Sequence, residues 1–84
     1  MIPENISGSN IVAAISYINQ NGVPSRRDST VWDLIYGGKR YPPKYVICIA
    51  NKYVNGVELI GNEFGGGPET NSFLEARGFE IVPK

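Results

Sequence analysis

The chain has 84 residues, 42 % of them hydrophobic, with three Phe, one Trp and five Tyr. That composition specifies a folded core and excludes a disordered or collagen-like chain, while the length predicts one small domain, residues 1–84, burying roughly 60–65 % of its unfolded surface. One Cys and no His exclude an internal disulfide and leave no ligand set for zinc or haem, so neither cofactor nor metal is expected. Eight basic side chains balance eight acidic ones, but unevenly. Residues 1–55 carry Arg26, Arg27, Lys39, Arg40, Lys44 and Lys52 against Glu4, Asp28 and Asp33, and the remainder holds five Glu against Arg77 and Lys84. This asymmetry is compatible either with a basic face or with scattered solvated charge. No apolar run approaches the roughly 18 residues of a membrane span, and the N-terminus lacks the regions of a signal peptide. No membrane partner and a cytoplasmic location are expected.

The first element is a helix. Ile11, Val12, Ile15 and Ile18 recur at helical spacing, Ser7 is a suitable N-cap, Ile6 and Ile11 occupy the two positions of a hydrophobic staple, and Gly22 is placed to end the helix. Residues 23–29 mix turn formers with charge and no periodicity, which predicts a surface loop whose Arg26 and Arg27 either reach phosphates or are only solvated. Residues 30–36 have the β-branched and aromatic content of a strand. Gly37-Gly38 then suits a two-residue hairpin that sets Tyr36 opposite Lys39 and Leu34 opposite Tyr41. In that register Trp32, Leu34 and Tyr41 share the core face, and Asp33 and Arg40 share the other as a weak exposed ion pair.

Pro43 fits the first position of a second helix, with Pro42 holding the approach extended. Its apolar spacing predicts burial of Val46, Ile49, Ala50 and Tyr53, exposure of Lys44, Asn51, Lys52 and Asn55, and a stop at Gly56. Cys48 reads as a small buried hydrophobe, since no histidine exists to activate a nucleophile. Residues 57–60 are a short strand or an extended connection, and in the glycine-rich loop that follows Phe64 is the one anchor. A third helix starts at Pro68 with Gly67 as N-cap and buries Phe73 and Leu74. Gly78 is placed as the left-handed C′ residue of a Schellman motif that brings Leu74 against Phe79, and Phe79 to Val82 forms a final strand. The Gly65-Gly66-Gly67 run resembles a phosphate cradle only superficially. No Gly-Lys-Ser/Thr follows, and Glu69 in the first turn of the helix opposes an anion.

The expected fold is therefore α+β, in the order helix, β-hairpin, helix, helix, strand, with a small antiparallel sheet packed on three helices. The hairpin tip and the second helix bring Lys39, Arg40 and Lys44 together as a basic group for phosphates. Lys52, Arg26 and Arg27 extend the footprint. Tyr36, Tyr41 and Tyr45 are available to stack on a base, unless Tyr41 is in the core and Tyr45 on its rim. Asp33, Glu63, Glu69 and Lys44 have no spacing that demands catalysis, so no enzyme is expected.

Several stretches carry a resemblance to a known family: Gly38-Lys39-Arg40-Tyr41-Pro42-Pro43-Lys44 through Ala50, Phe64-Gly65-Gly66-Gly67-Pro68-Glu69-Thr70-Asn71, and Leu74 with Arg77-Gly78-Phe79-Glu80-Ile81-Val82. Over about residues 5–82 the chain resembles the N-terminal head domain of McrA-type, modification-dependent HNH restriction endonucleases. Gly65 stands where such domains often have serine, and the histidines of an HNH nuclease are absent from these residues. The resemblance implies a small accessory module of a DNA-restriction protein and no catalysis. Its implied partner is DNA or, alternatively, a nuclease, helicase or other protein of the defence system on which the module docks.

Overall fold

The structure, a computed structural model, describes residues 1–28 and 31–84. Helix α1, Gly8–Asn21, begins in a capping box: Ser7 Oγ accepts the Asn10 N–H at 3.3 Å and Asn10 Oδ1 accepts the Ser7 N–H at 2.8 Å. Two of the N–H groups that a helix start leaves without intrahelical partners are thereby satisfied. Ile6 and Ile11 are both buried beside it, as the staple requires. The helix buries Ile11, Ala14, Ile15 and Ile18, whereas Val12 is exposed. At 100° per residue Val12 lies on the margin of the stripe that those four define, which corrects its assignment to the apolar face.

Strand β1, Trp32–Tyr36, and strand β2, Lys39–Tyr41, form the hairpin in the expected register, Tyr36 against Lys39 and Leu34 against Tyr41. Gly37 and Gly38 have φ of 59° and 77°, the positive angles that a tight two-residue turn demands at both central positions. The expected strand start at Thr30 lies outside the described residues, as does the last residue of the preceding loop, Ser29. Strand β3, Glu80–Pro83, returns antiparallel on the other edge of β1, with Leu34 opposite Ile81, so the sheet order is β2-β1-β3. Asp33 does pair with Arg40, at 3.2 Å. Only the Arg40 half of the pair is exposed, however, because Asp33, in the central strand, is 5 % accessible.

Helix α2, Pro43–Asn55, is stopped by Gly56 at φ 87° and forms the centre of the molecule. Tyr45 through Asn51 are all buried, since α1 packs on one side and β1 and the C-terminal half of the chain on others. A helix enclosed this way buries more than one stripe. Two expectations change as a result. Tyr53 is 47 % exposed rather than core, and Asn51 is buried rather than outside. Asn51 is accommodated because its amide donates to Val57 O at 2.9 Å and accepts from Asn55 at 2.6 Å, so burial leaves no unmet hydrogen bond there.

Residues 57–60 are an extended connection leading to a 3-10 turn, Gly61–Glu63, and Phe64 is buried as the loop's anchor. Helix α3, Pro68–Glu75, follows with Gly67 as N-cap at φ 64° and buries Thr70, Phe73 and Leu74. Beyond it Phe79 N–H donates to Leu74 O at 3.1 Å and Gly78 N–H to Glu75 O at 3.0 Å. These are the two bonds of a Schellman motif, and Gly78 has the φ of 90° that the motif requires. Three helices against a three-stranded antiparallel sheet make the fold α+β, in the order read from the sequence.

Candidate functional site

A cleft of about 620 Å³ opens where five segments meet, one of them the 3-10 turn with Gly61 and Asn62. Arg26, Arg27 and Asp28 come from the loop after α1, Trp32 from β1, Lys44 and Tyr45 from the start of α2, and Gly66, Gly67, Thr70 and Asn71 from the start of α3. Both helices open on the cleft through a proline at their first turn. Their first-turn N–H groups lack intrahelical acceptors, and the N-terminal ends of the helix dipoles add positive potential. Three cationic side chains line the cleft against a single carboxylate, Asp28, which also lies 3.8 Å from Lys84.

Each cation is held differently. The Arg27 guanidinium lies over the Tyr45 ring at 4.8 Å and 3.5 Å from Glu58. Lys44 Nζ lies 5.3 Å from the centre of the Phe64 ring, a contact that orients an ammonium without neutralising it. Arg26 is exposed and has a φ of 80°, the one positive φ outside glycine among the described residues. A non-glycine residue pays sterically for that conformation, and such strain persists only where the surroundings impose it. Two hydrogen bonds shape the glycine loop: Glu69 Oε1 accepts the Gly65 N–H at 2.7 Å and Thr70 Oγ1 donates to Gly65 O at 2.7 Å. Glu69 thus occupies the backbone donor that a phosphate cradle would leave open.

Of the residues singled out in the sequence, Arg26, Arg27, Lys44 and Tyr45 meet at this cleft, while Lys39, Arg40, Lys52 and Tyr41 are elsewhere. Lys39 and Arg40 are adjacent in an extended strand, so they point to opposite faces of the ribbon, and they do not share one face with Lys44. Arg40 is bound to Asp33 and to Pro83 O. Lys52 Nζ lies 4.9 Å over the Tyr17 ring on the α1 side of α2. Tyr41 and Tyr45 are buried, and Tyr41 is committed through its hydroxyl to Asn19 Oδ1 at 2.8 Å. The ring of Tyr36 lies 5.9 Å from that of Phe79.

Sequence reasoning missed Trp32 and Asn71 as cleft residues. Strand alternation places Trp32 on the core face, yet it is half-buried and lines the cleft. Asn71 has two signals in the sequence, its position in the first turns of a proline-started helix and its place at the end of the Phe64–Asn71 stretch that carries the family resemblance, and neither points to a cleft. Its Oδ1 is the one buried side-chain oxygen or nitrogen without a hydrogen-bond partner among the described residues. Cys48 is fully buried in α2; burial raises its thiol above the ordinary value of 9.0, partly opposed by the nearby Arg27. The Tyr45 phenol is also raised from its ordinary value of 10.0, chiefly by burial and secondarily by Glu58. Among the described residues no three His, Cys, Asp or Glu side chains gather as a metal-ligand group. No helix among them is long and apolar enough to cross a membrane.

The chain matches the family described as ScoMcrA-like, N-terminal head domain, over residues 4–83. It belongs to that family. The match spans every helix and strand, so the whole cleft is a feature of a head-domain chain, and the head domain is an N-terminal part distinct from a nuclease part. No curated protein and no solved structure matches the chain.

Proposed function

We propose that this head domain is a non-catalytic DNA-binding or DNA-sensing module of a restriction system, which grips the phosphate backbone with Arg26, Arg27 and Lys44. The observation that carries the reading is the convergence of three cations, from two segments distant in sequence, on one cleft facing a single carboxylate. Phosphate contacts of this kind position a protein on nucleic acid without reading sequence. Lys39, Arg40 and Lys52, all exposed, extend the footprint beyond the cleft. Cytoplasmic location follows from a role in restriction.

The test is a salt titration of duplex DNA binding. Three phosphate contacts release about 0.9 counterion each, so a log–log slope of roughly −3 is expected. The variant carrying Arg26→Ala and Lys44→Ala is expected to lower that slope by about 2, each lost contact removing about one counterion. Absence of DNA binding even at low salt overturns the reading. In that case the chain is a docking module for a nuclease or helicase partner, an alternative favoured by Val57 and Ile60, which stand 62 % and 64 % exposed on the connection after α2.

A further inference from the structure

We infer that the cleft receives one unstacked nucleotide of a DNA strand, its base between Trp32 and Asn71 and its phosphate on Lys44 and Arg26. The inference rests on the DNA-binding reading above and goes beyond it in naming what enters the cleft. A surface that only follows a phosphate backbone needs cations on an open face. Here the cations line a recess of about 620 Å³, within the range of roughly 300–1,000 Å³ that encloses small ligands.

Three features of the recess match the parts of a nucleotide. Trp32 is half-buried and lines the wall, and an indole offers the largest aromatic face on which a base of any sequence can stack. Asn71 also lines the recess, and its amide oxygen is buried and unpartnered. Native structures rarely leave such an atom unmet without cause. The terminal torsion of asparagine is broad, so the amide can turn to meet the hydrogen-bonding edge of a base, its oxygen accepting from an exocyclic amine or its NH₂ donating to a ring nitrogen or carbonyl. Lys44 makes no ion pair among the described residues and is oriented by Phe64, and Arg26 is exposed at the rim. A base inside the recess thus leaves its own phosphate beside these two cations. Proteins that read a base outside the helix use this combination of stacking, edge hydrogen bonds and phosphate contacts, and spend least on bases that are already unpaired.

The experiment uses the full chain and four probes: a paired duplex, the same duplex with one extrahelical nucleotide, the corresponding single strand, and a deoxynucleoside monophosphate. Trp32 is the one tryptophan of the chain, so its fluorescence reports directly on the recess. The expected result is binding of the extrahelical duplex about tenfold or more tighter than the paired one, with quenching of Trp32 by the extrahelical duplex and the single strand. Asn71→Ala is expected to remove most of that preference while leaving paired-duplex affinity and the melting temperature unchanged, because the amide oxygen it deletes has no partner to lose. Equal affinity for the two duplexes with unquenched Trp32 overturns the inference and leaves the phosphate-binding reading standing. Quenching by the free mononucleotide with no preference for the extrahelical duplex also overturns it. No binding of any DNA overturns both. Should Asn71→Ala lower the melting temperature, the wild-type fluorescence alone decides the outcome.

Discussion

At the scale of single residues, α2 separates two side chains that sequence spacing treats alike. Ile49 is fully buried, so Ile49→Ala is expected to cost about 2–5 kcal/mol, the lost transfer energy plus a cavity. Tyr53 is half exposed, and Tyr53→Ala should stay within about 0.5 kcal/mol. Thermal melting distinguishes them, since a domain this size shifts by about 4–8 °C per kcal/mol. A fall of that size or more for Tyr53→Ala would overturn the burial assigned to this helix. Cys48 yields a second expectation. Its folded-state thiol is raised, so the neutral form is favoured by folding; that stabilisation is complete below the unfolded value near 9.0 and is lost as pH rises above it toward the folded value. The melting temperature of the wild type should therefore fall above about pH 9. Cys48→Ala should show a smaller alkaline fall, the remainder including Tyr45, whose pKa is raised for the same reason.

At the scale of elements, each helix is bounded by chemistry written in a few residues. Ser7 and Asn10 close the start of α1 reciprocally, and prolines open α2 and α3. Gly78 is the clearest stop. Its φ of 90° lies where a Cβ is strained, although the added carbon would meet nothing within 4 Å, so any cost of Gly78→Ala is conformational rather than a clash. A loss of about 1 kcal/mol is expected. An unchanged melting temperature would show that the turn relaxes without its left-handed residue. The hairpin turn follows the same logic at Gly37 and Gly38, which is why its register was legible from two adjacent glycines.

At the scale of the whole molecule, Arg77 ties the two ends of the chain. Its guanidinium lies 3.4 Å from the centre of the Phe73 ring and donates to Ile6 O at 2.7 Å, Phe73 O at 3.1 Å and Glu4 O at 3.1 Å. It is bound to backbone, with Glu4 contributing only an exposed carboxylate at 3.6 Å. Hydrogen bonds from a charged donor contribute about 1.5–3 kcal/mol each, so with the exposed bond to Glu4 discounted the two part-buried ones to Ile6 O and Phe73 O set an expected cost of about 3–6 kcal/mol for Arg77→Ala. Arg77→Lys should recover little, because an ammonium cannot reproduce the planar fork or the stacked ring contact. Full recovery by lysine in urea unfolding would show that charge alone matters at this position.

The sequence by itself determined the element order, the hairpin register, the helix starts at Ser7, Pro42 and Gly67, the stops at Gly22, Gly56 and Gly78, and the buried anchors Phe64, Phe73 and Leu74. All depend on neighbours within a few residues: a cap, a fixed proline φ, a glycine able to turn left-handed. Only the tertiary structure decided which cations meet. Arg26 and Arg27 reach Lys44 because the loop after α1 folds back over the start of α2, a long-range packing outcome that no local spacing encodes. Tertiary packing also buried Asn51, Asp33 and Tyr45, since enclosure of α2 and the central position of β1 add neighbours that periodicity cannot count. Strand alternation put Trp32 with the core, but whether a core-side ring is covered depends on what packs over it. At this edge the five segments leave a recess instead of closing it.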